Sequence, residues 1–298
     1  MRSSALLLLL PPATIGCATT VSGSGPSDAE PTLTTSAVIV VERMVNETDG
    51  FRAEASARFV RVAWPYSTHD ALQAIGAALD LPAIGACGSI AHAAGVVPDQ
   101  RAPFVELVDV GPVSLEVSGG LTRLVPRQLP DVTDVVSGVV YARATDPASL
   151  PASTRYFVHI GRPGPEAFDV QAMAPGDPGN VRIAGDDGHG TVVATGRPIE
   201  FAWAVDGSDG ASAAVPPRGL YKADPVYVDI QPAGVRCVLG DATGAGAELV
   251  RASLPASLLD DAGTLVVHRL HREALHTQGW ENGEIRFDFA RSVAYVRR

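Results

Sequence analysis

The feature that most constrains this chain is a period of two. In the segment 51–59, Phe51, Ala53, Ala55, Ala57 and Phe59 share one face, and Arg52, Glu54, Ser56 and Arg58 share the other. Successive side chains of a strand point to opposite faces, so this pattern predicts a half-buried β-strand. A β-branched run at 37–41 precedes it across the turn residues 46–50, and the two read as a hairpin. Near the other end Ile285 and Phe287 alternate with Arg286 and Asp288 in the same way.

Between these segments, strand signals recur at 104–108, 113–117, 121–125, 139–143, 156–160 and 168–172. They resume at 180–184, 191–194, 199–204, 226–230, 235–239, 249–254, 265–271 and 285–290. Gly, Pro and Asp clusters punctuate them, which predicts a mainly β chain of sandwich type. One helix is expected near 69–81, capped by Thr68, with Asp70 at its positive end and Pro82 as its stop. The stretch 175–179, Pro-Gly-Asp-Pro-Gly, is the best boundary. It divides an N-terminal β-rich domain, 36–174, from a C-terminal domain, 180–298. The second block resembles an immunoglobulin-like sandwich in strand number and size, without the disulfide-and-Trp core of antibody domains.

The first seventeen residues carry an address. A basic start, an apolar core and Thr14-Ile15-Gly16-Cys17 resemble a bacterial lipoprotein signal. Thr14 stands where an aliphatic residue is usual. The apolar core spans about a dozen residues, against the roughly 20 needed to cross a bilayer. The resemblance implies that Cys17 becomes the lipidated N-terminus, each buried CH₂ of its chains contributing roughly 0.8 kcal/mol to membrane anchoring. Ala18, where Asp would signal inner-membrane retention, implies the outer membrane. The alternative is an ordinary secretory signal cut after Ala18. Residues 18–35, rich in Thr, Ser, Gly and Pro, read as a tether.

Apolar residues make up 46% of the chain and charged residues 19%, a globular composition. The net charge of −10 argues against nucleic acid and against a basic grip on anionic lipid. With Cys17 lipidated, Cys87 and Cys237 remain for an oxidising compartment. They either pair or stay as two buried thiols.

No segment announces catalysis. His268, His271 and His276 are the densest histidine cluster. The five-residue spacing of His271 and His276 would set them roughly 140° apart on a helix. The preceding Thr-Leu-Val-Val favours a strand, which puts His268 and His271 on opposite faces; they read as a solvated strand end and only weakly as metal ligands. Asp186 and Asp187 could offer oxygens to calcium, but Asp187-Gly188 is a turn dipeptide and the regular spacing of a calcium loop is missing. Cys87 and His92 lack an orienting partner, no Gly-x-Ser-x-Gly elbow occurs, and Gly244-Ala-Gly246 is not a dinucleotide fingerprint. No catalytic residue, metal or cofactor is therefore assigned. Trp64 and Tyr66 could form a stacking platform, although core closure is the plainer reading; Trp280, in a Gly-flanked loop, reads as the more exposed aromatic.

These readings together predict an exported, lipid-tethered recognition or scaffold module at the cell envelope, its partner an envelope protein or glycan. Two alternatives stay open. One is an exported hydrolase with a glycosidase-like carboxylate pair among the 33 acidic residues; the other is a structural spacer.

Overall fold

The computed structural model describes residues 33–46, 50–64, 66–90, 105–129, 136–161, 167–186, 191–204, 224–241, 249–275, 277, 279–280 and 282–298. The first half of the chain contributes β1 (Leu33–Asn46), β2 (Gly50–Ala63), α1 (Thr68–Ala74), β3 (Cys87–Ser89), β4 (Val105–Leu107), β5 (Val113–Val117), β6 (Gly120–Arg123), β7 (Val125–Leu129), β8 (Val136–Thr145), β9 (Arg155–Ile160) and β10 (Phe168–Met173). The second half adds β11 (Arg182–Ile183), β12 (Thr191–Ala194), β13 (Ile199–Ala204), β14 (Pro225–Gln231), β15 (Val235–Asp241), β16 (Leu249–Leu254), β17 (Ala262–Leu275) and β18 (Gly283–Arg297).

An 11-stranded sheet runs β3-β15-β14-β17-β18-β1-β2-β4-β8-β7, with β12 added on β18. Two smaller sheets, β10-β9-β5-β6 and β11-β13-β16, complete the set. Alternation explains how they pack. Ile39 and Val41 of β1, Ala55, Ala57 and Phe59 of β2, and Ile285, Phe287 and Phe289 of β18 point one way, onto Leu115, Tyr156 and Val158 of the four-stranded sheet. Farther along the same face, Leu265 and Val267 of β17, Val226 and Val228 of β14, and Val293 and Tyr295 of β18 meet Ile183, Phe201 and Trp203 of the three-stranded sheet. The chain is mainly β, with two sandwich lobes. Burying a side chain such as Phe287 contributes about 2–3 kcal/mol; it sits 4.9 Å from Tyr156, edge to face.

The two lobes are not separate sheets. β18 pairs in parallel with β1 over Glu284–Ser292 and with β12 over Ala294–Arg297, so one strand serves both cores. The segment 175–179, expected as a linker, is not exposed. Pro175, Gly176 and Pro178 are buried, and Asp177 meets Arg43 at 3.1 Å. The reason lies in the inner face of the large sheet. Between the apolar patches it carries Arg43, Arg269, His271, Glu273 and Arg291, a polar belt that needs partners. Asp186 answers Arg291 at 3.0 Å. The strand start at Leu33 also takes residues 33–35 out of the expected tether.

The helix is shorter than expected. Ser67, not Thr68, is the N-cap: its hydroxyl accepts from the Asp70 N–H, and the Asp70 carboxylate accepts from the Ser67 N–H, each at 3.1 Å. The helix stops at Ala74, and Gly76 turns the chain with φ of +63°. The apolar residues expected to extend it belong instead to a strap over the outer face. Leu79 and Leu81 pack on Tyr227, Val238 and Leu270. Arg286 donates to the Ala77 carbonyl at 3.1 Å and pairs with Glu284. The strap ends where β3 pairs with β15, Cys87 opposite Cys237, and the two are joined as a disulfide.

Candidate functional site

The outer face of the large sheet carries a cavity of about 400 Å³. Its walls include Glu42 and Met44 of β1, Arg52 and Glu54 of β2, and His268, Asp288 and Ala290 of β17 and β18. Register builds it. Glu42 is opposite Glu54 on one side and Asp288 on the other, so three carboxylates stand in a row across β2, β1 and β18. Like charges directly opposite one another weaken a sheet, so packing does not account for this row. Neither Glu42 nor Glu54 makes a hydrogen bond or ion pair with a described residue.

The row ends in a buried polar network. Asp288 Oδ2 accepts from the Tyr227 hydroxyl at 2.6 Å, and its Oδ1 lies 2.8 Å from His268 Nδ1. His268 is 9% exposed and its ring stacks on Tyr227 at 4.2 Å. Its Nε2 is buried without a hydrogen-bond partner among the described residues, 3.8 Å from Asp229. Asp229 is held by both Nε and Nη2 of Arg236, each at 2.7 Å, and that guanidinium lies over Tyr227 at 4.9 Å. A bidentate Arg–carboxylate pair fixes both partners.

These neighbours separate the carboxylates electrostatically. Glu42 sits above the ordinary carboxylate range, first through partial desolvation and then through Asp288 and Glu54; Arg58 and Arg286 oppose the rise. Burial alone would raise Asp288 too. His268, Tyr227 and Arg236 outweigh it and hold that carboxyl below its usual value. Burial and Asp288 push the Tyr227 phenol far above its ordinary value.

His271 projects from the opposite face of β17, as strand alternation requires. The expectation of a solvated strand end fails for both histidines, because β17 extends through them to Leu275 and covering segments close on each side. His271 Nδ1 lies 2.7 Å from Asp224 and Nε2 lies 3.0 Å from Glu273. The same Glu273 oxygen accepts from the Met173 N–H at 3.0 Å, so the cluster ties β17 to the four-stranded sheet. Burial lowers the His271 pKa, but the two carboxylates outweigh it and bring it to about 9.

The remaining expectations scatter. Cys17, His92, Asp187 and His276 lie outside the described residues, and Asp186 is bound to Arg291. Among the described residues no group of three or more His, Cys, Asp or Glu side chains is arranged to hold a metal ion. The aromatic order is reversed. Trp280 packs on Phe59 at 5.2 Å, whereas Trp64 is 76% exposed; Tyr66 packs against the apolar cluster under α1. Sequence reasoning missed Glu42, Glu54, Asp288, Tyr227, Asp229 and Arg236. Only Asp229 and Arg236, facing across a β14–β15 hairpin, left a local signal.

No family model and no curated protein matches the chain. Among solved structures it is similar to the full ectodomain (Ig1–Ig3) of mouse nectin-like molecule 4, with 12% identity. That similarity covers 89% of this chain and 66% of the ectodomain, at a TM-score of 0.21. A superposition this loose carries no argument about fold or function.

Proposed function

We propose that this chain is an exported bacterial protein, tethered to the outer membrane through Cys17, that acts as a non-enzymatic recognition module with the Glu42–Glu54–Asp288 cavity as its binding surface. One observation carries the choice. The carboxylates stand side by side on one sheet face, and Asp288 has both oxygens engaged, by His268 and Tyr227. A glycosidase places its two carboxyl groups on either side of the scissile bond, with one free to attack or to activate water. A row on a single wall binds rather than flanks. The excess of carboxylates suits a ligand presenting cationic or hydroxyl groups. Envelope-protein pull-down and a glycan array test this directly. Retention is expected on the wild-type body and loss in the Glu42→Gln/Glu54→Gln double variant. No specific retention, or retention indifferent to both substitutions, overturns the cavity reading.

A hydrolase has one point in its favour: Glu42 is raised while neighbouring Asp288 is lowered, the separation an acid–base pair needs. Turnover of chromogenic glycosides that disappears in Glu42→Gln would replace the recognition reading with that one.

A further inference from the structure

The most exposed large apolar side chain among those of the described residues is not near the cavity. It is Trp64, 76% exposed, directly after Ala63, and Ala63 is the register partner of Leu33, itself 52% exposed. Both lie at the end of the β1–β2 pair where the segment from Cys17 enters the fold. The other two tryptophans are packed: Trp203 is fully buried and Trp280 lies on Phe59.

We infer that the Leu33–Trp64 end is a foot that rests in the interfacial zone of the bilayer, an inference that depends on the lipid anchor at Cys17. Leu33 follows Cys17 by sixteen peptide steps (33 − 17). Fully extended, they reach at most about 58 Å, so the body stays near the leaflet and Leu33 is its point of shortest attachment. An indole is suited to that depth, with an apolar ring and one N–H donor for the headgroup region. The net charge of −10 disfavours a basic grip on anionic lipid, so a neutral aromatic contact is the mode the chemistry leaves. The foot also sets an orientation. Glu42 is nine residues along β1 from Leu33, about 30 Å at strand rise, which lifts the cavity away from the membrane.

The test uses the full chain, matured in a bacterial host and reconstituted into phosphatidylcholine vesicles with or without brominated acyl chains. Mass spectrometry of the N-terminus is read alongside. The expected result is acylated Cys17 and loss of tryptophan emission on bromination, with that loss absent in Trp64→Phe. An acylated, vesicle-bound chain whose emission ignores bromine overturns the foot and leaves the anchor standing. An unmodified Cys17 removes the anchor, and the foot with it. Trp64 emission that shifts with protein concentration in the absence of vesicles assigns the patch to a second copy of the chain and also overturns the proposal. Trp64 is solvent-facing, so the variant keeps the fold.

Discussion

Glu42 lies in parallel register with Asp288, and the two carboxylates share one face of the large sheet. His268, Tyr227 and Arg236 more than offset the burial of Asp288, whereas Arg58 and Arg286 offset the rise at Glu42 only in part. Glu42 therefore carries most of the electrostatic cost of the pair. Its folded pKa is raised, so its contribution to stability is present below the unfolded value and declines as pH rises through the folded one. Glu42→Gln should stabilise the protein at pH 7 by about 0.2–1 kcal/mol. Paired urea titrations at pH 4 and pH 7 check this, and a variant less stable than wild type at pH 7 would contradict it.

His271 has the same sign and a larger effect. Its pKa rises to about 9 in the fold from a reference of 6.5. The stabilisation is complete below about pH 6.5 and is lost as pH climbs through about 9; a shift of that size is worth about 3 kcal/mol. Denaturation free energies measured from pH 6 to pH 10 should fall steeply in wild type and more gently in His271→Gln. Equal slopes would remove His271 as the titrating group.

The Cys87–Cys237 bridge closes a loop of sequence separation 150 and pins the far end of the strap. Loop-closure entropy puts the cost of the Cys87→Ala/Cys237→Ala double variant at about 3–5 kcal/mol. A urea midpoint unchanged from wild type would show that β3 holds to β15 without the bridge.

Among the described glycines, Gly138 is the position least able to take a side chain. Its φ is +123°, and an added Cβ would lie 1.9 Å from the Leu107 carbonyl oxygen on the adjoining strand. Gly138→Ala should destabilise by more than about 3 kcal/mol, since both strain and backbone displacement follow. Thermal unfolding measures the loss. A shift of only a degree or two would mean that β4 and β8 can part locally at little cost.

Strand centres were legible in the sequence. Val113–Val117, Thr191–Ala194, Ile199–Ala204 and Leu249–Leu254 fall where the pattern put them. The long strands were not. β17 and β18 run past the expected segments because Arg269, His271, Glu273 and Arg291 sit on the inward face and interrupt the apolar period. Asp186 and Asp224, which arrive from distant chain, meet Arg291 and His271 there. Leu79 misled the helix prediction for a related reason: its apolar character serves the strap. The cavity had no local signature at all. Glu42 and Asp288 each look like ordinary outward residues of an amphipathic strand, and only cross-strand register makes them neighbours.

β18 supplies Ile285, Phe287 and Phe289 to one lobe and Val293 and Tyr295 to the other. During synthesis neither half can close its interior until this ribbon has left the ribosome, since it occupies the middle of the sheet. The keystone of the fold is thus among the last of its described strands to be made, and both interiors wait on it.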